Sequence, residues 1–383
     1  MKRSEGRILT THTGSLPRTD ELAQLLVSQS RGEAVDPESF RTAVDASTEY
    51  VIRQQERAGV NIANNGEQSR PSFSTYVTFR MSGFGGRGER RTPKDLSEYP
   101  TTSVRARGVD IRNTPKCIGP VHYERLDEVE RECDDLLRQV RQGNADFPEL
   151  FMTAPSPGIV ALTMLNEHYR SYEDYVMALA EEMRKEYEVV ASKGLVLQLD
   201  CPDLAMERHY SQQDQPLSAF LELVRLNIRA LNTAIRNMPA DQIRLHVCWG
   251  NYAGTHHYDV PLAEILPLLY ETNVGALALE MANPRHAHEY KVFRRYPLPD
   301  HMLLVAGVID TKTNYIEHPE VVADRIALVA QTIGDPSRVL AGTDCGFATT
   351  AGSDRVHPEV VWEKLKSLRE GADLASQSLS WSN

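Results

Sequence analysis

Leu245-His246-Val247-Cys248-Trp249-Gly250-Asn251 decides how this chain is read. It closes a short apolar run, Ile243 to Cys248, that reads as a buried strand. Successive strand side chains point to opposite faces, so His246 and Cys248 aim an imidazole and a thiol at one point. Both are ligand types that zinc takes, along with carboxylate. Metal-capable groups at the C-terminal end of a buried strand are what a barrel enzyme places at its mouth.

Working outward, the same grammar recurs. Arg7–Thr11, Val60–Asn64, Glu149–Ala154, Leu195–Asp200, Gly275–Glu280, Met302–Val308 and Arg338–Gly342 read as further strands. Helical spacing fills most of the gaps, notably Pro37–Ala58, Leu126–Gln142, Tyr172–Ser192, Pro216–Arg236, Leu262–Tyr270, Pro319–Ile333 and Pro358–Gly371. Eight strands separated mainly by helices predict an α/β chain folded as a (β/α)8 TIM barrel. Residues 70–148, between the second and third strands, are expected to be an insertion decorating a single barrel domain that spans 1–383. The glycine-rich, basic Met81–Arg91 lacks the Gly-Lys-Ser/Thr ending of a phosphate loop and reads as a mobile surface insertion. The alternatives are a lid over the site or an arm meeting a second subunit in a homo-oligomer. The tail to Asn383 reads as loosely held.

Composition bounds the function. The chain has 383 residues, 41% hydrophobic and 25% charged, ordinary for a globular protein. A net charge of −11 argues against nucleic acid as partner. No stretch approaches a membrane span and the first residues lack an apolar signal core, so a cytoplasmic protein is expected. Five widely spaced cysteines do not form a disulfide framework; Cys117 and Cys133 read as inert, whereas metal or catalytic use suits others.

On a barrel, Glu280 at the end of the sixth strand and Cys345 after the eighth converge with His246 and Cys248. One histidine, two thiolates and one carboxylate suit Zn2+ in type and number. Such an ion would hold a substrate thiol as a thiolate, the competent nucleophile. A lone His-x-Cys pair is also compatible with plain burial, and a structural zinc is a second alternative, although paired Cys-x-x-Cys hooks are absent. The turn His12–Arg18 offers backbone amides to an anion, or is simply a strand-to-helix connection.

Thr11-His12-Thr13-Gly14-Ser15-Leu16-Pro17-Arg18, Asn65-Gly66-Glu67, Leu199-Asp200, His246-Val247-Cys248, Leu279-Glu280 and Thr343-Asp344-Cys345-Gly346 together resemble the catalytic barrel of cobalamin-independent methionine synthase. The loop Trp249–His257 also resembles the single-barrel branch that includes epoxyalkane:coenzyme M transferase. The resemblance implies a catalytic zinc on His246, Cys248, Glu280 and Cys345. It implies a thiol substrate whose amino group meets Glu67 and Asp200 and whose carboxylate lies near Gly14 and Ser15. The chain lacks the synthase's extra N-terminal barrel, and no tryptophan follows the third strand to pack on folate, so a corrinoid or another alkyl donor also fits. Methyl transfer to homocysteine or a similar thiol is the leading expectation. Epoxide opening is the alternative, with Tyr252, His256 or His257 as proton donor or merely as rim residues. A barrel that binds thiol or metal without turnover is the non-catalytic reading.

Overall fold

The computed structural model describes residues 1–100, 108–109, 111–353 and 355–381. Residues 101–107 and 110, inside the expected insertion, and the last two of the tail lie outside the described residues. The protein is an α/β fold around an all-parallel seven-stranded sheet. Its strands are β1 (Ile62–Ala63), β4 (Glu149–Pro155), β5 (Val196–Asp200), β6 (Ile243–Val247), β7 (Ala276–Glu280), β8 (Leu303–Ile309) and β9 (Val339–Thr343), in that spatial order. The expected first strand is reduced to two bridges. Thr10 pairs with Ala341 of β9 and Thr11 with Ile62 of β1, both parallel, so this segment joins the sheet's two edges.

The alternation in β6 explains the architecture. Ile243, Leu245 and Val247 point outward into the large apolar layer beneath the helices. Arg244 and His246 point inward, where Arg244 lies 3.8 Å over the Phe151 ring and bonds Gln198, Thr11 and the His12 carbonyl. A second apolar cluster fills the interior with Leu9, Ile62, Phe151, Val196, Ala276, Leu303 and Leu340, drawn from both edges and the strands between. Each strand is thus buried on both faces, which is why these segments are nearly continuous apolar runs.

The helices α2 (Pro37–Arg57), α6 (Tyr172–Ser192), α7 (Leu217–Ala234), α8 (Leu262–Leu269) and α9 (Pro319–Ile333) match the expected spans to within two residues at each end. Helices α1 (Asp20–Ser30), capped by Thr19, and α5 (Pro157–Thr163), capped by Ser156, lie outside the expected helical spans. Helix α10 runs on from Pro358 to Ser378, burying Ala372 and Ala375, so the tail is not loosely held there.

Between β1 and β4, β2 (Met81–Gly85) pairs antiparallel with β3 (Lys116–Tyr123), with α3 (Lys94–Glu98) between them in sequence. Helix α4 (Leu126–Gly143) then packs against α2 and α6 in the helix layer. The glycine-rich stretch is therefore in part a paired strand rather than a mobile insertion. Among the described residues no helix is long and apolar enough to cross a membrane.

Candidate active site

The end of β6 and the residues after β9 bring His246, Cys248 and Cys345 together. Their ligand atoms lie within 4.8 Å of one another, and all three side chains are buried. A tetrahedral zinc with bonds of about 2.0–2.3 Å holds its ligand atoms about 3.3–3.8 Å apart, so small adjustments of this group suffice. His246 Nδ1 lies 2.9 Å from Asp200 Oδ1. A carboxylate only accepts, so this bond places an imidazole proton on Nδ1 and leaves Nε2 as the nitrogen available to a metal. Nε2 is buried and has no partner. Orientation of a ligating histidine by a carboxylate behind it is the usual arrangement at metal sites.

The electrostatics agree. Burial opposes charge on His246, but the Asp200 bond and the Cys248 thiolate outweigh it and lift its pKa to about 9. A metal would compete with that proton for Nε2. The hydrogen bond between the two thiols lowers the pKa of Cys248 and raises that of Cys345. Cys248 is thus the more acidic of the two thiols. None of the five cysteines is in a disulfide.

Glu280 ends β7 nearby but is not part of the close group. Its Oε1 accepts from the Trp249 amide at 3.0 Å, and its Oε2 from Asn283 at 2.7 Å and Lys312 at 2.9 Å. Asp344 receives the amides of Met281, Ala282 and Asn283, tying the end of β7 to the residue before Cys345.

His246, Cys248 and Cys345 line a cavity of about 110 Å³ that also receives Ser15, Glu67, Asp200 and Tyr252. Glu67 follows β1 with φ +58°, a left-handed conformation uncommon outside glycine. Its Oε1 accepts from the Thr153 hydroxyl at 2.9 Å, whereas Oε2 is buried without a partner. Burial and then the nearby Asp200 charge push the Glu67 carboxyl up to about 7, against the pull of Arg70 and Arg18. Gly14, at φ +124°, must be glycine: a Cβ there would lie 2.6 Å from Thr153 Cγ2 and 2.7 Å from Glu67 Oε1. Ser15 lines the cavity beside it.

The three residues named as proton donors part company. Tyr252 lines the cavity and its hydroxyl donates to Asp95 at 2.8 Å. His256 is buried outside the lining, between Asp259 at 3.0 Å and the Tyr252 carbonyl at 2.9 Å. His257 is exposed, held by Thr255 and Glu98. Sequence reasoning missed Arg90, which lines the cavity from the glycine-rich stretch, paired with Glu207 and stacked 4.7 Å over Tyr210. It also missed Asp95 and His209. His209 follows a strand's C-terminal end, and that position was the one signal available.

The family described as cobalamin-independent synthase, catalytic domain, matches residues 8–102. The methionine synthase of Thermococcus kodakarensis is 25% identical over 375 residues, covering 97% of this chain and 94% of that one. The 2-hydroxypropyl-CoM lyase of Xanthobacter autotrophicus is 24% identical over 383 aligned positions, covering 92% and 89%. The structure of a B12-independent methionine synthase from Shewanella in complex with selenomethionine superposes with a TM-score of 0.72 at 19% identity, covering 97% of this chain and 98% of that one, and shows the shared fold. Along nearly its whole length this chain is similar to methionine synthases and to a 2-hydroxypropyl-CoM lyase, and its residues 8–102 match the catalytic domain of the cobalamin-independent synthases.

Proposed function

We propose that this protein is a zinc-dependent transferase that activates a small thiol and alkylates it at sulfur, with methyl transfer to homocysteine or a similar amino thiol as the leading reaction. One observation carries the reading. A buried, unpartnered imidazole nitrogen and two thiols meet in the cavity that also holds a buried carboxylate oxygen without a partner. His246, Cys248 and Cys345, with Glu280 as fourth ligand, would hold a zinc ion, which would supply the Lewis acidity that keeps a thiol ionised at neutral pH.

The chain's own residues do the rest. Asp200 fixes the His246 tautomer. Glu67 and Asp200 receive the substrate's ammonium, and Gly14 and Ser15 lie where its carboxylate docks. The buried walls exclude water from the sulfur. We read the whole as one (β/α)8 barrel domain of 1–383, with Thr10–Thr11 as its eighth strand and 70–148 as the elaborated connection. Five free cysteines suit a cytoplasmic setting.

Epoxide opening in the manner of 2-hydroxypropyl-CoM lyase is the second reading, favoured by the Tyr252 hydroxyl in the cavity wall. The test is a matrix of thiols against methyl donors and epoxides on protein of measured zinc content, read by product mass. About one zinc per chain and one alkylated thiol are expected. Full activity without metal would overturn the mechanism, and thiol binding without any product would leave a carrier.

A further inference from the structure

Arg90 takes no part in the reaction above, yet it is built into the cavity wall. Among the described residues it is the one lysine or arginine of the lining. Its backbone is set by a short ladder: the Arg90 amide donates to the Arg112 carbonyl at 2.9 Å, and the Gly88 amide to the Thr114 carbonyl at 2.7 Å. The guanidinium is held by residues that follow β5. Its Nη2 donates to Glu207 Oε1, and its central carbon lies 4.7 Å over the Tyr210 ring. Both members of this ion pair are buried.

The pair leaves part of the arginine unused. An arginine matched to one carboxylate commonly offers it two nitrogens in a fork. Arg70 does so with Glu132, through Nε and Nη2 at 2.9 Å each. Arg90 gives Glu207 only one, and the second Glu207 oxygen accepts from the Ser211 amide at 3.3 Å. Among the described residues no partner meets Arg90 Nε or Nη1, and neither is sealed from probe-sized space. Those N–H groups open onto the space that Arg90 lines. A guanidinium is always charged and only donates, so an anion with oxygen acceptors is what completes it.

The thiol is placed elsewhere. Its carboxylate docks near Gly14 and Ser15, which lean on the residues after β9; the Phe347 amide donates to the Ser15 carbonyl at 3.0 Å. Arg90 is held from the end of β5, and three strands separate β5 from β9 along the sheet. The two subsites thus reach the cavity from different sides. The lining also offers Phe73, Ile111 and Met206, apolar surface for a carbon stem.

We propose that Arg90 is a specificity residue for the second substrate, holding a carboxylate or other oxoanion at the end of the alkyl donor remote from the carbon that sulfur attacks. The donor class is a small organic anion rather than a neutral or cationic electrophile. Glu207 and Tyr210 position the guanidinium.

This rests on the thiol-alkylation reading, and two arms of one experiment separate them. Zinc-loaded full-length protein is given 2-mercaptoethanol, which has neither acid nor amine, with matched electrophiles. These are bromoacetate against bromoacetamide, and the longer N-bromoacetylglycine against N-bromoacetylglycinamide. In each, the S–C bond forms, the C–Br bond breaks with its electron pair going to bromide, and the thiol proton goes to buffer. Product mass gives the acid-to-amide rate ratio, divided by the same ratio for the thiol in buffer alone. Wild type should favour the acid about 10-fold or more in at least one pair, as a charge-assisted hydrogen bond predicts. Arg90→Gln should bring the ratio down to about one. Glu207→Gln, which keeps the arginine and removes its competitor, should hold the preference. Arg90→Gln strands a buried Glu207 without its cation, so the double variant Arg90→Gln/Glu207→Gln covers failure of the single one to fold. A wild-type ratio near one in both pairs, or a preference that survives in folded Arg90→Gln or the double variant, would overturn the subsite. In the second arm the chelator-treated chain is alkylated at Cys248 and Cys345 by the same pairs, read on peptides. If zinc-loaded protein alkylates no added thiol while the cysteines keep an Arg90-dependent preference, the alkylation reading falls and the anion subsite stands. Product without preference in either arm sinks the subsite alone.

Discussion

Replacing Glu67 by Gln tests amine recognition at a site where binding and stability should move in opposite directions. Glu67 Oε2 is buried without a partner, and the carboxyl is pushed up to about 7, mainly by burial. An ammonium arriving there makes a charge-assisted bond. Loss of such a bond costs about 1.5–3 kcal/mol, so homocysteine should bind about 10- to 150-fold more weakly to the variant, while a thiol without an amine changes little. Only ionised Glu67 holds an ammonium. With a pKa of about 7, roughly one-tenth is ionised at pH 6 and nine-tenths at pH 8, so wild-type affinity for homocysteine should rise about tenfold across that window beyond any rise seen with the amine-free thiol. The variant should lose this excess slope.

The sign for stability is opposite. The folded pKa lies above the unfolded value, so the protonated carboxyl is tolerated at low pH and the ionised one costs stability as pH rises from 4.5 to about 7. That interval corresponds to about 3 kcal/mol, which Gln does not incur. Glu67→Gln should therefore melt higher than wild type at pH 8. Calorimetric titration of both thiols at pH 6 and 8, with thermal melts, makes the check. Equal weakening of both thiols would refute the ammonium assignment, and a lower melting temperature would refute the burial argument.

Cys248→Ala and Cys345→Ala should each drop zinc well below one per chain, with unchanged circular dichroism and no product. Asp200→Asn puts a neutral amide in place of the charged acceptor of His246 Nδ1, and zinc affinity by chelator competition should fall about 10- to 100-fold along with amino-thiol binding. Gly14→Ala drives a methyl into Thr153 and Glu67; thiol affinity should fall and the melting temperature drop, whereas Gly194→Ala, whose Cβ meets nothing within 4 Å, should keep affinity. Removal of zinc by chelation should abolish turnover, and zinc should restore it.

Much of the scaffold was legible because strand alternation is local. Leu197 and Leu199 face the helices while Gln198 and Asp200 face inward, and that is settled by a period of two residues. The first strand was less legible: Arg7–Thr11 is apolar enough to be a strand, yet only Thr10 and Thr11 form strand bridges. The charged Leu126–Gly143 was readable as a helix, but its place in the helix layer rests on packing against α2 and α6.

The sequence by itself determined which residues end the strands, and hence that an imidazole, thiols and carboxylates crowd one mouth, because side-chain direction along a strand is fixed by covalent geometry. Only the tertiary structure decided how those groups are engaged. Lys312, 32 residues beyond Glu280, occupies that carboxylate. Asp200 is spent in part on His246, and His256 and His257 turn away from the cavity while Tyr252 lines it with His209 and Asp95 behind it. Hydrogen-bond partners between distant segments follow from how loops of different strands close over one another, and no spacing along the chain encodes that.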